Sequence, residues 1–161
     1  MRLLSCIESM ARVDIACRAL VRLPRYVSEW GMNKPAREVA RSLCGHLDGA
    51  VRLHRNTQEG SLFPALLASV DNVDGLATVV ARFIAEHKAI ETAWRALRPS
   101  LTAIALCRPT KLSIPETTWF AGMYRDHATV EARHLVALAP RFRAALPMRL
   151  TNELRAEARH T

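Results

Sequence analysis

Apolar residues recur at three- and four-residue spacings along almost the whole chain, and only a few short segments interrupt them. A pattern of that kind leaves little room for anything but long packed helices. In the first stretch, residues 3–27, Val13, Cys17, Leu20, Leu23 and Val27 follow the helical spacing. Pro24 lies inside it and is expected to kink or fray its last turns. The first break is Trp30-Gly31-Met32-Asn33-Lys34-Pro35, where Pro35 suits the opening turn of the next helix. The second stretch covers residues 36–69, with an interruption expected at Leu62-Phe63-Pro64. Asp71-Asn72-Val73-Asp74-Gly75 reads as a turn whose carboxylates can cap the third helix. That helix is expected over residues 76–97, stopping near Arg98-Pro99 and resuming at most briefly to Ala105. After a loop holding Pro109, Ser113-Ile114-Pro115-Glu116 reads as a cap for a fourth helix over residues 116–145, which Pro147 ends. No strand pattern is present. The expected fold is all-α: an up-down-up-down four-helix bundle over residues 1–147, with a short basic tail at 148–161.

Function classes narrow on composition. No apolar run approaches the roughly 18 residues of a membrane span, and no apolar segment of an export signal precedes Cys6. The four cysteines, Cys6, Cys17, Cys44 and Cys107, form no Cys-x-x-Cys pair. Small, mostly buried thiols in a reduced, cytoplasmic setting are the expectation, not a disulfide framework or a zinc site. The net charge is +8, and only three of the 23 basic residues are lysines. The arginines are scattered, with Arg141, Arg143, Arg149, Arg155 and Arg159 the nearest approach to a cluster. Nucleic-acid binding would rest on that charge alone, with no groove-reading motif beside it, so it is set aside. A solvated arginine-rich surface is the simpler reading, and an acidic protein partner would go with a bundle kept for interaction.

The chemistry concentrates in a repeated context. His54 precedes Gln58 by four residues, His87 precedes Glu91, and His127 precedes Glu131. Residues four apart share one helix face, and each pair falls near the middle of a different helix. Metal sites in bundle cores are assembled in this way, from histidine and carboxylate side chains on facing helices. The other histidines carry less: His46 reads as packing or surface, His134 as rim and His160 as terminus.

These segments resemble the hemerythrin-like (HHE cation-binding) family in its bacterial form. His54-Arg55-Asn56-Thr57-Gln58-Glu59-Gly60-Ser61-Leu62-Phe63-Pro64-Ala65-Leu66 is similar to the family's second-helix signature His-His-x-x-Glu-Glu-x-x-Leu-Phe-Pro-x-Leu. Glu86-His87 with Glu91 and Trp94 resembles its third-helix pattern, and Tyr124 with His127 and Glu131 its fourth. The resemblance implies a non-haem iron site with His54, His87, Glu91, His127 and Glu131 as ligands. It also implies oxygen, nitric oxide or peroxide as a small ligand at an open position.

Two positions depart from the family's di-iron pattern. No histidine precedes His46, and the first-helix register falls on Met10; the bridging second-helix glutamate is Gln58. Two ions roughly 3.5–4 Å apart need bridging anions to offset their repulsion, and a neutral amide supplies none. Glu59 is one residue away, but a step of about 100° turns it off the His54 face unless the helix shifts locally. Arg55 is expected to point outward. The expectation is one ion rather than two, iron first and manganese or zinc as alternatives, held chiefly by His87, Glu91, His127 and Glu131. No nucleophile or separate acid–base pair accompanies the set, so binding without turnover is expected. The competing reading is a metal-free, degenerate bundle acting as an interaction or regulatory module.

Overall fold

The computed structural model describes residues 2–69 and 75–145, with side chains for 12–68, 75–135 and 137. The capping turn at 71–74, the tail and the side chains of Met10 and of the basic C-terminal cluster lie outside what is described. The elements are α1 (Arg2–Trp30), α2 (Lys34–Thr57), a π-helical turn (Gln58–Leu62), α3 (Phe63–Ser69), α4 (Leu76–Ala105) and α5 (Ile114–Ala145). Because α2 passes through the π-turn directly into α3, the chain forms four helical rods, with no strand among the described residues.

The boundaries follow local chemistry. Gly31 closes α1 at φ 72°, its N–H donating to the Val27 carbonyl at 2.9 Å; a left-handed residue of this kind is cheapest as glycine. Asn33 then caps α2, its Oδ1 accepting from the Ala36 N–H at 3.1 Å. Ser113 caps α5 as the sequence suggests, with Oγ accepting from the Glu116 N–H at 3.3 Å.

The rods close a ring: α1 packs on α2 and α5, and α4 packs on α2 and α5. Contacts between α2 and α4 set their direction. Arg41 donates to the Ala105 carbonyl, Cys44 faces Thr102, Asp48 pairs with Arg98, and the His54 ring meets His87. Numbers rise along one rod as they fall along the other, so the two are antiparallel. Two apolar clusters fill the bundle. The larger includes Cys17, Leu20, Leu47, Leu101, Ile104 and Phe120; the smaller holds Phe63, Leu66, Leu76, Val80 and Phe83.

Three boundary expectations need correction. Pro24 does not fray α1, which stays helical beyond it to Trp30, with Leu20 and Leu23 buried in the turn before it. Likewise α4 runs through Pro99 to Ala105. Pro99 and Arg95 are both exposed, so the carbonyl that proline leaves without a helical donor faces water. In the second rod nothing interrupts the helix at residues 62–64; it widens instead, one turn earlier, at Gln58–Leu62.

Candidate metal centre

The widening has a visible cause. Pro64 has no N–H to give, and its ring would press on the carbonyl four residues back in a regular α-helix. Here the preceding turn is expanded, and the Phe63 N–H donates to the Gln58 carbonyl, five residues back. The expansion changes which side chains face the bundle interior. Gln58 is buried beside His54, while Glu59 also reaches inward, its Oε1 2.9 Å from Nδ1 of His87.

His54 from the second rod, His87 from α4, and His127 and Glu131 from α5 come together between the two apolar clusters. One ligand atom from each lies within 4.8 Å of all the others. Among the described residues no other group of this kind occurs. His87, His127 and Glu131 are buried and His54 is partly so. A single ion with bonds of 2.0–2.1 Å keeps any two ligand atoms within about 4.2 Å, so this group would have to draw in by at least about half an ångström to hold one.

The outward nitrogens are taken. Nδ1 of His87 meets Glu59, and Nδ1 of His127 meets Oε2 of Glu86 at 2.7 Å. A carboxylate can only accept, so both imidazoles carry their proton on Nδ1 and turn an Nε2 lone pair inward. Those inward atoms are orphans: Nε2 of His54, His87 and His127, and Oε1 of Glu131, are buried without a hydrogen-bond partner. His54 Nε2 does approach Glu131 Oε2 at 2.9 Å, but out of line for a hydrogen bond. Buried polar atoms left unpaired cost about 1–3 kcal/mol each, and four in one spot point to a missing partner that accepts lone pairs. A cation fits the donor set.

Electrostatics favour a neutral His87. Desolvation lowers the His87 pKa below its ordinary value, outweighing the opposite pull of Glu59. Two aromatic rings seal the floor: Phe63 stacks on His87 with centroids 5.9 Å apart, and Phe83 meets His127 edge-on at 5.7 Å. The weakest joint is at His54, whose Nδ1 is 3.4 Å from Nε2 of Gln58 while the Gln58 Oε1 is an orphan. Turning the amide over would give the imidazole N–H an acceptor.

Of the five residues expected from the sequence, His54, His87, His127 and Glu131 are brought together and Glu91 is not. Its carboxylate is held by Arg55 and Arg95 in an open cleft of about 330 Å³ that also includes Asp48, Arg52, Trp94 and Arg98. Arg55 accordingly does not point outward: it is half-buried between Glu91 and Glu59. His54, expected on the weakened side of the site, joins the same group as the others. Sequence reasoning missed Glu86 and misplaced Glu59. Glu86 adjoins His87 in sequence but serves His127 on α5, a cross-rod pairing that spacing within one helix does not reveal.

His134 is at the rim, its Nδ1 donating to the Val130 carbonyl and its ring edge-on to Phe83. Of the thiols, Cys17 is buried, its pKa pushed up to about 11 by desolvation, Cys44 is half-buried and Cys107 is exposed. No helix among the described residues is long and apolar enough to cross a membrane.

A search of curated proteins and of solved structures found no match to the chain. A family model described as the Hemerythrin HHE cation binding domain matches residues 7–139, a span that includes every residue of the cluster.

Proposed function

Because the chain belongs to the hemerythrin HHE cation-binding family, we propose that it holds one divalent metal ion, iron first, with manganese or zinc as alternatives. His54, His87 and His127 would hold it through Nε2, and Glu131 through its carboxylate. The observation that carries this reading is the convergence of three orphaned Nε2 atoms with one buried carboxylate. One ion is favoured over two because Gln58 adds no charge and Glu91 is already neutralised by Arg55 and Arg95. Iron held by four protein ligands supplies open coordination positions where oxygen, nitric oxide or peroxide can bind. Around it the chain's own residues orient and protect: Glu86 holds His127, while Phe63 and Phe83 exclude water from below. We infer binding or sensing without turnover, since among the described residues no acid, base or nucleophile stands beside the cluster other than its own carboxylate partners. The free thiols Cys17, Cys44 and Cys107 fit a reducing compartment, and on that ground we place the protein in the cytoplasm. The scattered arginines suit an acidic protein partner better than nucleic acid.

Elemental analysis of the purified protein tests the reading. We expect about one equivalent of metal per chain, and loss of it in His127→Ala. Two irons per chain, with the charge-transfer absorption of an oxo-bridged pair, would overturn the single ion. Metal-free protein that takes up neither iron nor zinc would favour the alternative, a bundle kept for interaction or regulation.

A further inference from the structure

The second rod has lost its bridging carboxylate to Gln58, yet a carboxylate from that rod still reaches the centre. Glu59 stands one residue on, where a regular helix would rotate it away by about 100°. The π-turn at Gln58–Leu62 removes that obstacle, because a turn with one extra residue re-aims the side chains within it. Glu59 Oε1 thereby meets Nδ1 of His87 at 2.9 Å, and Arg55, itself tied to Glu91, steadies the other oxygen at 3.4 Å. Glu59 is only about one-fifth exposed, and His87 is nearly fully buried.

We propose that Glu59 is a positioning residue for the metal centre, delivered by the π-turn, and that it supplies through His87 the negative charge that Gln58 cannot. The inference rests on the metal-binding reading above. By accepting the Nδ1 proton, Glu59 fixes the ring's tautomer and rotation, turns the Nε2 lone pair toward the cluster and makes that nitrogen a stronger donor. Glu86 does the same for His127 from α4, so two of the three histidines are backed by a carboxylate. Glu91 then has a different task from the ligation its spacing suggests: it anchors Arg55.

The test compares wild type, Glu59→Gln, Glu91→Gln and a chain lacking Gly60. Removing Gly60 takes the extra residue out of the π-turn, so Phe63 and Leu66 keep their faces while Glu59 rotates away. Zinc dissociation constants are measured by competition with a chromophoric chelator. Nitrogen-15 shifts of the His87 ring are recorded on metal-free protein, and the visible spectrum on the cobalt-loaded form. We expect zinc affinity to fall about 10–100-fold in Glu59→Gln, and by a similar factor without Gly60. The chain lacking Gly60 should lose the Nδ1–H tautomer of His87, Glu59→Gln should lower its share because an amide both donates and accepts, and both should show an altered cobalt spectrum. Glu91→Gln, with Glu59 still in place, should keep His87 in its wild-type tautomer. Equal zinc affinity for wild type and Glu59→Gln, or a metal-free His87 protonated at Nε2 in wild type, overturns the proposal. Wild type that binds no zinc, cobalt or iron would instead overturn the metal-binding reading, and this one with it. Circular dichroism of the shortened chain guards against misfolding, and Glu59→Gln carries the conclusion if that chain does not fold.

Discussion

Gln58 sits one link from the only fully buried carboxylate of the cluster: its amide meets His54, and His54 meets Glu131, which is 1% exposed. Replacing it by glutamate would place a second negative charge in a buried site. Without metal, Gln58→Glu should lower stability by a few kcal/mol, the usual scale for an uncompensated buried charge. With excess iron or zinc the loss should shrink, and metal content should exceed that of wild type. Urea denaturation with and without metal checks both halves; a variant equally stable in the two conditions would mean that position 58 does not face the ion. Spacing alone shows which histidines share faces with acids, and four of the five expected ligands do converge. It puts Arg95 within reach of Glu91, four residues on along the same helix, but cannot show that Arg55 crosses from the second rod to take up the same carboxylate. For the same reason Glu86 is invisible in the sequence as a partner of His127.

At the level of elements, the helices are legible from apolar spacing and caps, whereas proline is a poor guide to where they stop. Pro99 is passed through because its freed carbonyl faces water, and Pro64 acts one turn upstream by favouring a wider turn. Nothing in Gln58-Glu59-Gly60-Ser61-Leu62 distinguishes a π-turn from an α-turn by periodicity, so regular spacing puts the residue that matters most there, Glu59, on the wrong face. The two apolar clusters predict separable effects. Phe63→Ala removes the ring stacked on His87 and should cost about 3–5 kcal/mol while also weakening metal binding. Leu101→Ala, fully buried in the larger cluster, should cost about 2–5 kcal/mol and leave the metal content unchanged. Paired urea melts and metal analysis read out the difference, and metal loss in both variants would show that the clusters are not independent supports.

For the whole molecule, the cluster joins residues from three rods that are distant in sequence, so its ligands meet only once α2, α4 and α5 have already assembled against one another. An ion bound there at 100 to 1,000 times its dissociation constant stabilises the native state by about 3–4 kcal/mol. Interactions that form after the folding barrier has been crossed leave the folding rate alone and act on escape. Chelation should therefore speed unfolding by about 10²–10³-fold and leave refolding at its metal-free rate, a result stopped-flow chevrons would show directly. An equal split between the two limbs would place the ion in the transition state. On this account metal supply sets the lifetime of each folded copy and not the speed at which new copies mature, so a cell short of metal would turn the protein over faster without making it any more slowly.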